Sequence, residues 1–319
     1  MQFAPVLIPT LNRYEHLRKC LESLSNCTWA NETEVYVALD YPPSEVYVDG
    51  WKKNKEFLEN CGGLGFKKLH LIEREENYGT WKPGDKGNLS CLARDIRKDY
   101  DRYIITEDDN VFSPNFLEYM DKGFEKFEND DSVINLCAFR WHFPIKNDGN
   151  TFFRSGVSTT PWGIGYWTKK MGPKTDFMYF RRHLSLRNII KVYKNNGPAF
   201  VNAFVELSNR DERHSKSVDQ HKAIYMTLEG KCQIIPMVSL VRNIGLDGTG
   251  VTMPANNADM KKMYDSIPVS MDSHFEYIGT GYECYEYNKK IIIEGRNWKS
   301  KGEYAVVFLK KLIRLIKYW

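Results

Sequence analysis

Apolar positions in the first 140 residues alternate between two periods. Short apolar runs at Pro5-Val6-Leu7-Ile8-Pro9, Val35 to Leu39, Lys68 to Ile72 and Tyr103 to Thr106 have the length and composition of buried strands. Between them Leu17, Cys20, Leu21 and Leu24 recur at helical spacing, and Trp51 to Asn60 and Asn88 to Arg97 read as two further helices. Strands separated by single helices need crossover connections, so the pattern predicts an α/β fold with a doubly wound sheet of parallel strands flanked by helices. Ser113 to Phe127 reads as a helix capped by Ser113 with Pro114 in its first turn, and Val133 to Phe139 as another strand. The alternation then weakens. Arg140 to Pro161 is rich in loop residues, Trp162 to Lys170 is compact and aromatic, and Asp176 to Lys194 and Val218 to Leu228 are helical. Strands are expected near Gln233 to Ile235 and Ser239 to Val241, and Ala255 to Lys301 carries no clear period.

The last stretch is different in kind. From Tyr304 to Trp319, Phe308, Leu309, Leu312, Ile313, Ile316 and Trp319 fall on one helical stripe and Lys310, Lys311, Arg314 and Lys317 on the other. A basic face opposite an apolar, aromatic-edged face suits a helix lying in an anionic membrane surface, and it equally suits a last helix docked on the core. Net charge is +4, but residues 289 to 319 hold nine Lys/Arg against two Glu, which leaves the body of the chain net acidic. A nucleic-acid-binding body is therefore not expected. Seven cysteines, an odd number with no CxxC pair, argue for reduced thiols rather than a disulfide framework or a zinc site. The opening MQFAPVLIPTLNR lacks a basic segment followed by a long apolar one, and no apolar run reaches spanning length. The expectation is a cytoplasmic protein, peripheral at the inner face of the plasma membrane.

In a doubly wound sheet, ligands bind beyond the carboxyl ends of the strands. The residues after the predicted strands are Thr10, Asn12 and Arg13; Asp40; Glu73 and Arg74; and Glu107, Asp108 and Asp109. Three adjacent carboxylates repel unless a positive charge shares their space. A hard divalent cation, Mg²⁺ or Mn²⁺, bridging protein oxygen to a diphosphate would supply it with only one or two direct protein ligands. An acidic turn at the head of the next helix is the plainer alternative.

The opening Pro5-Val6-Leu7-Ile8-Pro9-Thr10-Leu11-Asn12-Arg13 resembles the start of nucleotide-sugar-dependent glycosyltransferases of the GT-A fold. Ile104 to Tyr119, with Glu107-Asp108-Asp109 and the later Pro114-Asn115-Phe116 and Tyr119, is similar to the acidic segment of the N-acetylglucosaminyltransferase I family. The resemblance runs intermittently from Ala4 to about Thr252. It implies a GT-A domain over residues 1–254, its doubly wound sheet mixed and mostly parallel and flanked by helices, with a nucleotide-binding half to 110 and an acceptor and catalytic half beyond it. Residues 255–319 would be a C-terminal extension with the basic amphipathic helix at 304–319.

Carried over by position, the resemblance implies Asp109 as the metal ligand, Glu107 and Asp108 at the donor sugar and ribose, Asp40 at the uracil ring and Thr10, Asn12 and Arg13 near the nucleotide. Trp162-Gly163-Ile164-Gly165-Tyr166-Trp167 resembles the segment beneath the sugars, and Arg242 is placed to add charge at the leaving phosphates. Asp219, in Val218-Asp219-Gln220-His221, fits the catalytic base, although the family has two consecutive acids there and this chain has one; His221 competes for the role. The three glycines of Gly245-Leu246-Asp247-Gly248-Thr249-Gly250 suit a loop that closes over the diphosphate. The activity implied by the resemblance is that of an inverting, metal-dependent transferase. It would move a UDP-linked sugar, hexosyl or N-acetylhexosaminyl, to a glycan or lipid-linked oligosaccharide in bacterial surface-polysaccharide synthesis. A sugar nucleotidyltransferase of similar fold is less well matched, since Thr10-Leu11-Asn12-Arg13 lacks a Gly-rich basic loop. A non-catalytic, membrane-associated glycan-assembly protein stays open as a third reading.

Overall fold

A computed structural model describes residues 2–80, 86–147, 149–157, 160, 162–170, 177–208, 218–250 and 258–296, with 306, 309, 310 and 313 in the tail. The four predicted N-terminal strands form as β1 (Val6–Thr10), β2 (Glu34–Leu39), β3 (Lys68–Glu73) and β4 (Arg102–Ile105), alternating with α1 (Tyr14–Ser25), α2 (Val48–Asn60) and α3 (Asn88–Ile96). A two-residue side-chain period places β1 between two layers. Val6 and Ile8 face a core shared with Leu17, Cys20, Leu21 and Leu24 of α1, while Leu7 faces Leu92, Ala93 and Ile96 of α3. That two-sided burial is why these strands read as continuous apolar runs rather than as alternating ones.

Next come β5 (Asn110–Phe112), α4 (Phe116–Lys126), β6 (Val133–Cys137), β7 (Phe152–Ser155) and β8 (Ile164–Trp167). Four helices then lead to the last strands: α5 (Phe177–His183), α6 (Leu186–Asn196), α7 (Pro198–Leu207), α8 (Val218–Glu229), β9 (Cys232–Pro236) and β10 (Val241–Asn243). The eight-stranded sheet runs β3-β2-β1-β4-β8-β6-β9-β7, and β10 with β5 makes a separate antiparallel ribbon. Neighbours from β3 to β4 are parallel, whereas β8 is antiparallel to both β4 and β6. The chain winds outward from β1 to β3 and returns to place β4 on the other side of β1, so the order reverses at the β1–β4 crevice. The sheet is thus mixed and mostly parallel, as the resemblance implies.

Three expected features come out differently. The aromatic stretch Trp162 to Lys170 contains β8, at the centre of the sheet, where all four residues are buried. The helix expected from Ser113 starts at Phe116, because Asn110–Phe112 pairs with β10 first. The helix expected over Asp176 to Lys194 breaks at Ser185, whose side chain accepts the Asn188 N–H and so starts α6 as a new helix.

Beyond residue 254, α9 (Ala258–Asp265) and α10 (Tyr285–Arg296) complete the described helices, and Tyr264, Ile267, Phe275 and Tyr287 join the main core. Tyr277 donates to the Tyr119 carbonyl at 2.7 Å and lies over Gly123, where a Cβ would collide with its hydroxyl. The basic amphipathic helix expected at 304–319 lies almost entirely outside the described residues. Among the described residues no helix is long and apolar enough to cross a membrane, and all seven cysteines are free.

One buried carboxylate sets a pH dependence. Asp121 is fully buried on α4, accepts the Ala4 N–H at 2.9 Å, and is pushed up to about 7 by burial. A folded pKa above the unfolded value means the group's contribution is full below about pH 4 and is lost as pH rises through 7, a swing on the order of a few kcal/mol. The melting temperature of the native chain should therefore fall more steeply between pH 5 and 8 than that of Asp121→Asn. Parallel pH curves for the two proteins would contradict this.

Candidate active site

At the β1–β4 crevice the end of β1 and the turn after β4 are tied together by side chains. Thr10 Oγ1 donates to Asp108 Oδ2 at 2.7 Å and accepts from Asn54 of α2 at 3.1 Å. Arg13, at the head of α1, sets its NH1 2.6 Å from Asp109 Oδ2 and 4.0 Å from Asp108 Oδ1. Burial, and then the neighbouring Asp109, push the Asp108 carboxyl up to about 6. Arg13 is the positive charge that lets these acids stand side by side.

Asp109 is held at both its carboxylate and its carbonyl. Its Oδ1 accepts from Asn243 Nδ2 at 2.6 Å and its carbonyl from the Ile244 N–H at 2.8 Å. Gly245 packs against it so closely that a Cβ there would collide with the carboxylate and the Arg13 guanidinium. The loop after β10 carries Asp247, whose carboxylate is 3.9 Å from Arg13 NH2 and 3.1 Å from His16 Nε2. Thr249 accepts from Arg13 Nε at 3.2 Å and donates to Asp247 Oδ1 at 2.7 Å. The glycine-containing loop expected to close over a diphosphate thus sits against Arg13 and Asp109.

Three carboxylates, from Asp108, Asp109 and Asp247, surround one guanidinium whose NH2 is buried with no hydrogen-bond partner. Hard oxygen donors and a deficit of positive charge are the chemistry that suits a divalent cation. Among the described residues no three His, Cys, Asp or Glu side chains are grouped to hold a metal by themselves. A cation here would draw its other ligands from phosphate and water, which is the habit of Mg²⁺.

The other expected residues divide. Glu107 Oε2 accepts from Trp162 Nε1 at 2.8 Å, which ties the acidic turn to an aromatic wall where Trp162 meets Phe139, Trp141 and Tyr264 edge-on or tilted. Gly163 has φ +70, and a Cβ there would press on Phe116, so the glycine serves the turn into β8. Asn12 places its carbonyl against Gly50 of α2, where any side chain would collide.

Asp40, one strand over, is held by its own loop. It accepts the N–H groups of Tyr78 and Gly79, both at 2.7 Å, and that of Tyr41 at 3.0 Å. It shapes the 77–79 loop with the oxygens that the resemblance sets against a base. Arg242 is not brought to the site. It alternates with Asn243 on β10, so it points away from Asp109, and it donates to the Ile267 carbonyl at 2.8 Å.

Asp219 lies in the first turn of α8. His221, two residues on, is half-buried against Phe180, and burial lowers it to about 4. Asn54, Asn243, His16 and Asp247 are participants that the sequence does not single out. Asn54 is readable in hindsight as a polar residue on the buried stripe of α2, four residues before Leu58.

No protein-family model matches the sequence, and no curated protein does either. Among solved structures the chain is similar to TarS 1–349 of S. aureus, with 14% identity over 75% of this chain and 58% of that chain and a TM-score of 0.37. It is also similar to the mannosyltransferase PcManGT from Pyrobaculum calidifontis in complex with GDP-Man and Mn²⁺, with 14% identity over 51% of this chain and 44% of that chain and a TM-score of 0.34. The glycosyltransferase GlyE of Streptococcus pneumoniae TIGR4 is similar at 10% identity over 72% of this chain and 43% of that chain, with a TM-score of 0.31. The chain spans about half the length of these structures.

Proposed function

We propose that the protein is a GT-A-type glycosyltransferase that moves a sugar from a nucleoside diphosphate sugar, UDP-linked, to a glycan or lipid-linked oligosaccharide acceptor. The observation that carries this reading is the pair of bonds Thr10–Asp108 and Arg13–Asp109 across the crevice where strand order reverses. Acids and a guanidinium are concentrated there, on the edge where a sheet of this kind binds ligands.

In this reading Arg13 faces the diphosphate and Asp109 would hold a Mn²⁺ or Mg²⁺ ion, while Glu107 and Asp108 would take the donor sugar and ribose hydroxyls. When bound, the ion compensates charge on the departing nucleoside diphosphate. Trp162, fixed by its bond to Glu107, offers an apolar ring face to the sugar. Asp219 removes the acceptor proton, and attack from the side opposite the leaving group inverts the anomeric centre. The setting is bacterial surface-polysaccharide synthesis at the inner face of the plasma membrane, with the tail helix at the lipid surface.

A thermal-shift panel of UDP, GDP and their common sugars, each with Mn²⁺ or with EDTA, tests the reading. A ligand at 100 times its dissociation constant adds about 2.7 kcal/mol, which raises the melting temperature by several degrees. One nucleotide sugar should stand out from the panel, with Mn²⁺ and not with EDTA. A flat response to every nucleotide would sink the proposal.

A further inference from the structure

Helix α6 presents three faces where an ordinary surface helix presents two. Val192 and Asn196, with Ile189 beside them, form the stripe packed inward against α7 and α8. Leu186 and Ile190, one turn apart, form an adjoining stripe that is 75% and 45% exposed. Next to that stripe lie Arg187 and Lys194, seven residues apart on one face, exposed and without an ion pair among the described residues. On α5, Met178 is 45% exposed and Arg182 is exposed. From Phe177 to Asn196 the chain has five Lys/Arg and no Asp or Glu.

Single exposed apolar residues need no explanation. Two on one stripe, flanked by cations in a stretch without one acid, are a matched pair of features. Folding accounts for neither, since the helical layer already has its core in Phe180, Val192, Phe204 and Ile224.

We propose that the outer face of α6, with α5, is a contact surface for an anionic lipid bilayer. The apolar stripe is too small for a stable protein interface, which needs about 800 Å² on each side. A bilayer asks for less: individual apolar side chains enter the headgroup region while adjacent Lys and Arg draw on the negative surface potential. Leu186 and Ile190 insert, and Arg187, Lys194 and Arg182 pair with lipid phosphates. This surface belongs to α5 and α6 and is independent of the reaction assigned to the crevice.

Co-sedimentation of the full chain with vesicles of phosphatidylcholine containing phosphatidylglycerol, against phosphatidylcholine alone, tests this. The native chain should bind the anionic vesicles and release in high salt. Arg187→Glu/Lys194→Glu should lower the partition coefficient about thirty-fold or more, from two contacts of roughly 1 kcal/mol each. Leu186→Ser/Ile190→Ser should lower it about ten-fold, with melting temperatures unchanged because all four residues are exposed. Should the serine pair fail to fold, the charge-reversal pair reads the same surface.

The proposal is overturned if both pairs bind like the native chain while Leu312→Asp/Ile316→Asp in the tail abolishes binding. It is equally overturned if the anionic vesicles bind nothing, or if the α6 variants abolish a self-association seen without vesicles, which would assign the face to a second copy of the chain.

Discussion

Asp109→Asn is expected to reduce sugar transfer by about a thousand-fold or more, because it removes one charge from a site built on charge balance. The substitution keeps volume and keeps an acceptor for Arg13, but the uncharged carbonyl of an amide does not neutralise a guanidinium and holds a hard cation more weakly than a carboxylate does. The Arg13–Asp109 pair is largely buried, with side chains 14% and 11% exposed. Breaking such a pair leaves an uncompensated charge and costs about 3–5 kcal/mol in other proteins. Asp108 stands 4.0 Å from the same guanidinium and offsets part of that cost. The melting temperature should therefore drop by only a few degrees while activity collapses. Nucleotide affinity separates the two roles of the carboxylate. If Asp109 carries a cation, native affinity for UDP falls on adding EDTA and the variant is indifferent to it. If Asp109 serves only to orient Arg13, EDTA changes neither protein and Arg13→Gln copies the Asp109→Asn defect. Retention of cation-dependent turnover by Asp109→Asn would end the assignment of this carboxylate to the metal.

The legible part of the fold is the part in which one physical rule dominates. Buried parallel strands are continuous apolar runs, and α1 shows its buried stripe at Leu17, Cys20, Leu21 and Leu24. β8 escapes that rule because it lies between antiparallel neighbours at the sheet centre, and the stretch Trp162 to Trp167 that contains it has two glycines and three aromatics, a composition that reads as a packed turn. Gly165 is needed there since a Cβ would press on Phe124 and Met120, a constraint imposed by α4 and invisible along the strand itself.

The site divides the same way. Thr10, Arg13, Asp108 and Asp109 are readable because strand ends in a doubly wound sheet share an edge. Arg242 is misplaced when its charge is read without its strand. On β10, alternation sends Asn243 to Asp109 and Arg242 to the Ile267 carbonyl. The three-residue β5–β10 ribbon that decides this pairs residues more than a hundred positions apart, so no local pattern announces it.

Asp219→Asn should leave UDP affinity unchanged and lower kcat by about a hundred- to ten-thousand-fold, the range lost when a general base is removed. In the proposed reaction the acceptor oxygen would form its bond to the anomeric carbon as its proton passes to the carboxylate, while the bond from that carbon to the diphosphate breaks and its electron pair leaves with the nucleotide. An amide cannot take the proton, yet it contributes nothing less to holding the donor. His221 is the competing base on the same helix. Half-buried against Phe180 and lowered to about 4 by burial, it is neutral at pH 7 and enclosed on the Phe180 side. His221→Gln should thus change kcat by less than about three-fold, and the acid limb of the pH–rate profile should persist in it while disappearing in Asp219→Asn. The reverse pattern, with transfer intact in Asp219→Asn and lost in His221→Gln, would move the base to the imidazole and require that burial be relieved when the acceptor binds.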